Sequence, residues 1–373
     1  MTKTSIREMI CIRCEAKLPV GDYYTGCPQC FSGGTPASVI PVYETDDEDM
    51  YMKLPYDSPT LLGEGNTPVV PYETLVKELG IKNLYVKNEF QNPTGSHKDR
   101  MSKAFILHAK AKGVKGIVLA SSGNAGLSAA TYAASQHLPC TVITSTTLSP
   151  LMGQQMKKTG AKVIIVETPE ERWQLTQRMV DEEDYYPCTN YVRPPVGSNL
   201  WGIQGYKTIS YELFEHFGNE LPTDIIIPVS RGDLLWGIYE GLKDLKDSKM
   251  IATLPRLIAV EPIPRLSKVL EGADYTNSFS GDYSYTPSIG GDTVTYQAYK
   301  AITATDGIAV SVTRKAVAET EKKLALSGRL LEPSSVAPFA ALVELVASGV
   351  LDENAVPLVI ATSNNFFIEA SYE

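Results

Sequence analysis

From residue 84 onward, short apolar runs alternate with longer stretches in which apolar positions recur every three to four residues. The runs predict strands at 116–120, 140–144, 161–166, 224–229, 256–260 and 357–361. The helical spacing predicts helices at 98–112, 125–136, 153–159, 170–184, 205–217, 234–246, 314–327 and 335–347. Strands that alternate with helices of ten to fifteen residues indicate βαβ units and mainly parallel sheets. The expected class is therefore α/β, with two doubly wound open-sheet domains after a small N-terminal segment. The segment is expected at 1–35, a smaller domain at 98–210, and a larger one from 36–97 with 211–373. Ligands of open α/β sheets sit at the carboxyl ends of the strands, which would place a site in a cleft between two such sheets. Ser32-Gly-Gly-Thr-Pro36 reads as a linker and Asp46-Asp-Glu-Asp49 as a solvated loop.

Composition narrows the function. The chain has 373 residues, enough for two or three domains, and 43% hydrophobic residues, which is ordinary for a packed core. A net charge of −9 with no basic stripe argues against a nucleic-acid partner, because phosphate backbones are met by clustered Lys and Arg. No apolar run reaches membrane-spanning length, and Met1-Thr-Lys-Thr-Ser-Ile-Arg7 has no apolar signal core, so a cytoplasmic enzyme is expected.

The six cysteines are unevenly placed. Cys11-x-x-Cys14 and Cys27-x-x-Cys30 form two knuckles with Gly21, Gly26 and Pro28 at turn positions, a set suited to a structural, tetrahedral zinc ion. Disulfides or free thiols are the alternative and fit a reducing compartment poorly. Cys140 and Cys188 stand alone and read as small buried hydrophobes.

The most telling chemistry lies in Gln91-Asn-Pro-Thr-Gly-Ser-His-Lys-Asp-Arg100 and Ser121-Ser-Gly-Asn-Ala-Gly126. The first sets Lys98 on a turn built by Pro93 and Gly95. The second is a Gly- and Ser-rich loop between an apolar run and a small-residue helix. A lysine facing a loop of backbone N–H donors suits a carbonyl cofactor and an anionic substrate. These segments, with Leu62-Gly-Glu-Gly-Asn-Thr-Pro68, Thr141-Val-Ile-Thr-Ser-Thr-Thr-Leu-Ser-Pro150 and Glu332-Pro-Ser-Ser335, resemble the pyridoxal-phosphate enzymes of the tryptophan-synthase-β type. The likeness is greatest to the threonine synthase family and covers roughly residues 60 to 370.

That resemblance implies pyridoxal 5'-phosphate as cofactor and a homodimer. Lys98 would bond the cofactor aldehyde and then move protons at the substrate's α- and β-carbons. His97 reads as a packing group, and Asp99 with Arg100 as a pair that steadies the turn. By resemblance the Asn124 amide meets the cofactor's phenolic oxygen, while Ser121, Ser122, Gly123 and Ala125 offer donors to the substrate α-carboxylate. The cofactor phosphate would lie at Pro228-Val-Ser-Arg-Gly-Asp-Leu-Leu-Trp-Gly237, on Ser230, Arg231, Gly232, Asp233 and Leu234. There Arg231 offsets charge, and Asp233 caps the following helix or pairs with Arg231. The pyridine-nitrogen partner is expected at Thr362, with Ser363 second.

The family binds a substrate phosphate through an asparagine, an arginine and a lysine, which here implies Asn190 and Lys207. The arginine position falls on Gly202, so Arg193 is the replacement candidate, and Met101 stands where a glycine usually follows the position of Arg100. The resemblance implies a lyase that converts O-phosphohomoserine to threonine. Alternatives are a cysteate synthase-like replacement on O-phosphoserine, a serine or threonine deaminase, and a catalytically silent relative.

Overall fold

The structure is a computed structural model that describes residues 2–3, 5–44, 50–57 and 60–366. The acidic run 46–49 lies outside the described residues. Two compact units emerge, one from residues up to 65 and 92–208, the other from 66–91 and 209–365.

The first unit begins with a three-stranded antiparallel sheet in the order Lys17–Leu18, Ile6–Cys11, Val39–Tyr43. A five-residue helix, Pro28–Ser32, follows Cys27 with its proline in the first turn. The Ser32–Pro36 stretch is a correction to the linker expectation: the chain turns at Gly33 and Gly34 and returns to the same sheet as Val39–Tyr43. Asp22 fastens this ribbon to its unit. Its carboxylate accepts from His108 Nε2 at 2.9 Å, from Trp201 Nε1 at 2.6 Å and from Lys112. The imidazole of His108 stacks on Trp201, with ring centres 4.3 Å apart, and its Nδ1 meets the Tyr56 hydroxyl at 2.9 Å.

The main sheet of this unit is parallel, ordered Lys162–Val166, Cys140–Ser145, Gly116–Ala120, Tyr185–Pro187. Its inner strands are buried along nearly their whole length, as continuous Val/Ile/Leu runs require of a sheet covered on both faces. The helix Lys98–Lys112 precedes its first strand, and Asn124–Ser135, Pro150–Lys158 and Pro169–Glu183 each follow one of its strands. Cys140 and Cys188 are buried, as expected of small hydrophobes.

The second unit holds a six-stranded sheet in the order Ile308–Ser311, Arg256–Glu261, Asp224–Pro228, Pro357–Ile360, Tyr85–Lys87, Val69–Pro71. All its pairs are parallel except the last. Ile226, Val260, Val359 and Phe339 are fully buried in one core with the helix Pro333–Ala347. A buried ion pair adds to it: Lys87 Nζ meets Glu212 Oε2 at 2.5 Å and the Thr67 carbonyl at 2.7 Å.

Every predicted strand and helix is present. Starts differ where caps decide them: the helix expected from 153 begins at Pro150, because Ser149 accepts from the Met152 amide and proline occupies the first turn.

Candidate active site

In the first unit the 92–95 turn closes by a Gly95 N–H to Asn92 carbonyl bond of 2.8 Å, with Gly95 at φ 82°. Lys98 is the first residue of the helix Lys98–Lys112. Asp99 steadies the turn by accepting from the Thr94 amide at 2.7 Å and the Thr94 hydroxyl at 2.5 Å. It also accepts from Ser128 at 2.6 Å, and Ser128 reaches Ser102 at 2.7 Å. Ser128 belongs to the helix Asn124–Ser135, so one buried hydroxyl ties the lysine helix to the asparagine helix. Burial pushes the Asp99 carboxyl up to about 6 against these hydrogen bonds. Arg100 donates to the Thr208 hydroxyl at 2.8 Å.

Lys98 Nζ lies 3.4 Å from the Tyr206 hydroxyl and 5.9 Å from the centre of that ring. His97 packs on Tyr206, ring centres 5.6 Å apart, in keeping with a packing role. Tyr206 is fully buried, and nothing in the local sequence marked it as a partner of a lysine 108 residues away. Glu64, in the Leu62–Pro68 motif, is also buried: it accepts from the Leu61 and Leu62 amides and from Tyr132, each at 2.9 Å.

The 121–126 loop is folded by Ser121, whose Oγ accepts from the Gly126 amide at 2.9 Å and the Gly123 amide at 3.3 Å. A side chain at Gly126 would come within 2.8 Å of Met156 Cε, so the loop is packed tightly from beneath. Asn124 opens the helix, and Ser122, Gly123 and Ala125 are half-buried beside it. The Ser122 hydroxyl lies 3.4 Å from Ser145 Oγ and 3.4 Å from Arg172 Nη1; Ser145 Oγ lies 2.8 Å from Thr147 Oγ1.

The three residues expected at the substrate phosphate are engaged with the protein itself. The Asn190 amide donates to the Val192 carbonyl at 2.7 Å and accepts from the Val196 amide at 3.3 Å. Lys207 is buried, with Nζ 2.7 Å from the Lys53 carbonyl and 4.9 Å from the centre of the Tyr43 ring. Arg193 is exposed and lies over Trp173 at 5.0 Å. Gly202 is packed where a Cβ would stand 2.9 Å from Met101 Cγ and 3.0 Å from Phe105 Cδ1.

In the second unit the strand Asp224–Pro228 leads through Ser230, Arg231 and Gly232 into the helix Asp233–Asp247. Gly232 has φ 86° and a Cβ there would meet Ala298 Cβ at 2.6 Å, so both conformation and space demand glycine. The loop is braced from several sides. Thr295 Oγ1 donates to the Arg231 carbonyl at 2.5 Å, Ser230 Oγ to the Gly290 carbonyl at 2.9 Å, and Arg265 Nη2 to the Val229 carbonyl at 2.9 Å. Asp233 accepts from Gln297 Nε2 at 2.7 Å, and Leu234 is buried behind it. At the end of the strand Pro357–Ile360, Thr362 Oγ1 lies 3.2 Å from Ser335 Oγ, which also accepts from the Ser363 amide at 3.1 Å. The Ser363 hydroxyl is buried without a partner among the described residues.

The four ribbon thiols lie within 4.8 Å of one another. Cys11 and Cys30 sulfurs are 3.7 Å apart and those of Cys14 and Cys27 are 3.8 Å apart. A tetrahedral ion with bonds of about 2.3 Å requires about 3.8 Å between its sulfur ligands, so the set fits a closed tetrathiolate centre. Burial pushes the Cys11 thiol up to about 12, while the Ala16 backbone amide brings exposed Cys14 down to about 7.

The family described as pyridoxal-phosphate dependent enzyme matches residues 60–363. The threonine synthase of Methanocaldococcus jannaschii is 30% identical over 314 residues, covering 81% of this chain and 75% of that protein. The threonine synthase of Methanosarcina acetivorans is 28% identical over 314 residues, covering 82% and 76%. Among solved structures, the processed form of threonine deaminase isoform 2 from Solanum lycopersicum superposes with a TM-score of 0.69 over 98% of this chain and 95% of its own, at 18% identity, a likeness of fold. The chain belongs to the pyridoxal-phosphate-dependent enzyme family, with threonine synthases among its relatives.

Proposed function

We propose that this enzyme is a threonine synthase-type lyase that converts O-phosphohomoserine to threonine with pyridoxal 5'-phosphate. The observation that carries the reading is the Ser128 bond to Asp99, which fixes the lysine-bearing turn against the 121–126 loop. It stands in a chain whose relatives include the threonine synthases of two methanogens.

The residues fit the cofactor. When bound, it supplies an electron sink beside the substrate's Cα. Lys98 holds its aldehyde at rest and serves as the base and acid that moves protons at Cα and Cβ. Tyr206 keeps the amine of Lys98 in place through its hydroxyl. Asn124 would meet its phenolic oxygen, and the 230–234 loop with the N-terminus of Asp233–Asp247 would hold its phosphate. The orphaned hydroxyl makes Ser363, rather than Thr362, the better donor to the ring nitrogen, since Thr362 is already bonded to Ser335. A neutral hydroxyl there leaves that nitrogen unprotonated, which suits elimination and replacement over transamination. The N–H groups of 122–125 take the α-carboxylate.

Zinc in the Cys11, Cys14, Cys27, Cys30 centre, a phosphorylated amino-acid substrate and a cytoplasmic homodimer belong to the same reading. A second reading, β-replacement on O-phosphoserine with sulfite as acceptor, is favoured by Gly202: packed under Met101 and Phe105, it leaves no room for the arginine that the resemblance calls for. Phosphate release from O-phosphohomoserine with threonine as product is the expected result. Release from O-phosphoserine alone would replace the first reading by the second.

A further inference from the structure

Three strand-to-helix junctions of the first unit's parallel sheet bring one cation and three hydroxyls together. Ser122 follows the strand Gly116–Ala120, Ser145 ends Cys140–Ser145 with Thr147 two residues on, and Arg172 lies in the first turn of Pro169–Glu183, after Lys162–Val166. All four therefore stand at the carboxyl edge of the sheet, where the positive ends of helix dipoles gather. Arg172 Nη1 reaches Ser122 Oγ at 3.4 Å, Ser122 reaches Ser145 at 3.4 Å, and Ser145 reaches Thr147 at 2.8 Å. The guanidinium is half-buried, and its Nε is shielded with no hydrogen-bond partner. Burial lowers the affinity of Arg172 for its proton, opposed by the nearby charge of Glu170. No carboxylate among the described residues makes an ion pair with it. A desolvated guanidinium with an unused N–H beside three hydroxyls lacks its anion.

We propose that Arg172, Ser122, Ser145 and Thr147 form a binding site for a tetrahedral oxyanion of the phosphate class. Its source is either the phosphate ester of the amino-acid substrate or a free phosphate ion. The substrate assignment rests on the function proposed above; the anion site does not. Arg193, the arginine that the sequence suggested for this work, lies exposed over Trp173, whereas Arg172, one residue before that tryptophan, reaches the 121–126 loop.

The test uses the cofactor-loaded enzyme, so that the cofactor's own phosphate site is filled. Calorimetry with inorganic phosphate should give saturable binding that Arg172→Met weakens at least about tenfold. Ser145→Ala with Thr147→Val should weaken it as well without touching the guanidinium, which guards against a folding defect in the arginine variant. Titrations with O-phosphoserine and with serine, followed by cofactor absorbance, separate the sources. A substrate phosphate is the source if Arg172→Met weakens O-phosphoserine about tenfold and leaves serine within twofold. Loss of inorganic phosphate with both amino acids unaffected assigns the site to a free anion. Equal losses for serine and O-phosphoserine would place the guanidinium on the α-carboxylate and overturn the proposal, as would phosphate binding unchanged in both variants or absent from the parent enzyme. Failure of the enzyme to release phosphate from O-phosphohomoserine would count against the proposed function and leave the calorimetric result standing.

Discussion

Replacing Ser363 by alanine should move stability and cofactor binding in opposite directions. The Ser363 side chain is 1% exposed and its hydroxyl has no partner among the described residues. Leaving a buried hydroxyl unsatisfied costs about 1–3 kcal/mol, so removing it should stabilise the cofactor-free protein by about 1 kcal/mol. In a chain of two units that gain is about 2–4 °C in melting temperature. The same hydroxyl, if it donates to the ring nitrogen, contributes about 1 kcal/mol or more to cofactor binding, and its loss should weaken that binding about tenfold. Thr362→Val is the contrast: its hydroxyl is bonded to Ser335, so the variant should destabilise the cofactor-free protein by about 1 kcal/mol. The assay is thermal unfolding of the resolved apoenzyme beside an absorbance titration with cofactor. An alanine variant that melts lower and binds cofactor unchanged would refute the reasoning, because the hydroxyl would then be serving the fold.

Other perturbations probe the same framework. A Cβ at Gly205 would collide with the carbonyl oxygen of Arg100, a backbone atom that cannot yield, so Gly205→Ala should cost about 3 kcal/mol. By moving Tyr206 from Lys98 it should also lower kcat/KM about 100-fold; denaturation midpoints and steady-state kinetics check both. Asp99, raised by burial from its ordinary 3.8 to about 6, keeps its proton in the folded state where the unfolded chain has released it. Stability should therefore fall by about 3 kcal/mol as pH rises from about 4 to about 6 and then level off. Asp99→Asn should flatten that slope in midpoints measured across the range, and a slope that persists would refute the assignment. Metal analysis should find about one zinc per chain, and a strong chelator should release it and increase proteolysis within residues 5–44; a metal-free protein with an intact ribbon would refute the zinc assignment.

The regular elements were legible because their signal is local. The helix Lys98–Lys112 and the strand Gly116–Ala120 begin and end where apolar spacing alone puts them. Three-residue strands such as Val69–Pro71, Tyr85–Lys87 and Tyr185–Pro187 are too short to establish a period, and only the neighbouring strand makes them extended. The helix Tyr296–Thr303 was hidden by the β-branched and aromatic residues in and around it, Thr293, Val294, Thr295, Tyr296 and Tyr299 among them, which favour strands; packing decides such segments. The return of Val39–Tyr43 to the ribbon could not be seen behind a Gly-Gly-Thr-Pro stretch that reads equally as a linker or a turn.

The motif side chains divide by what they touch. Glu64, Thr94, Asp99 and Asn92 lie in the motifs and spend polar atoms on the fold: Glu64 on Leu61, Leu62 and Tyr132, Thr94 on Asp99, and Asn92 on the Gly65 amide at 3.0 Å. Some residues keep a polar atom to spare: Ser96 within the lysine motif, Ser363, which the sequence placed second to Thr362, and Arg172, which no local pattern marks. Arg172 and Ser363 carry unpaired buried polar atoms, and Tyr206 meets the lysine from far along the chain. A buried polar atom that the protein does not satisfy is costly to keep, so it persists where a ligand completes it. That cost is what the Ser363 and Arg172 variants measure, while the motifs that revealed the family hold the frame around Lys98.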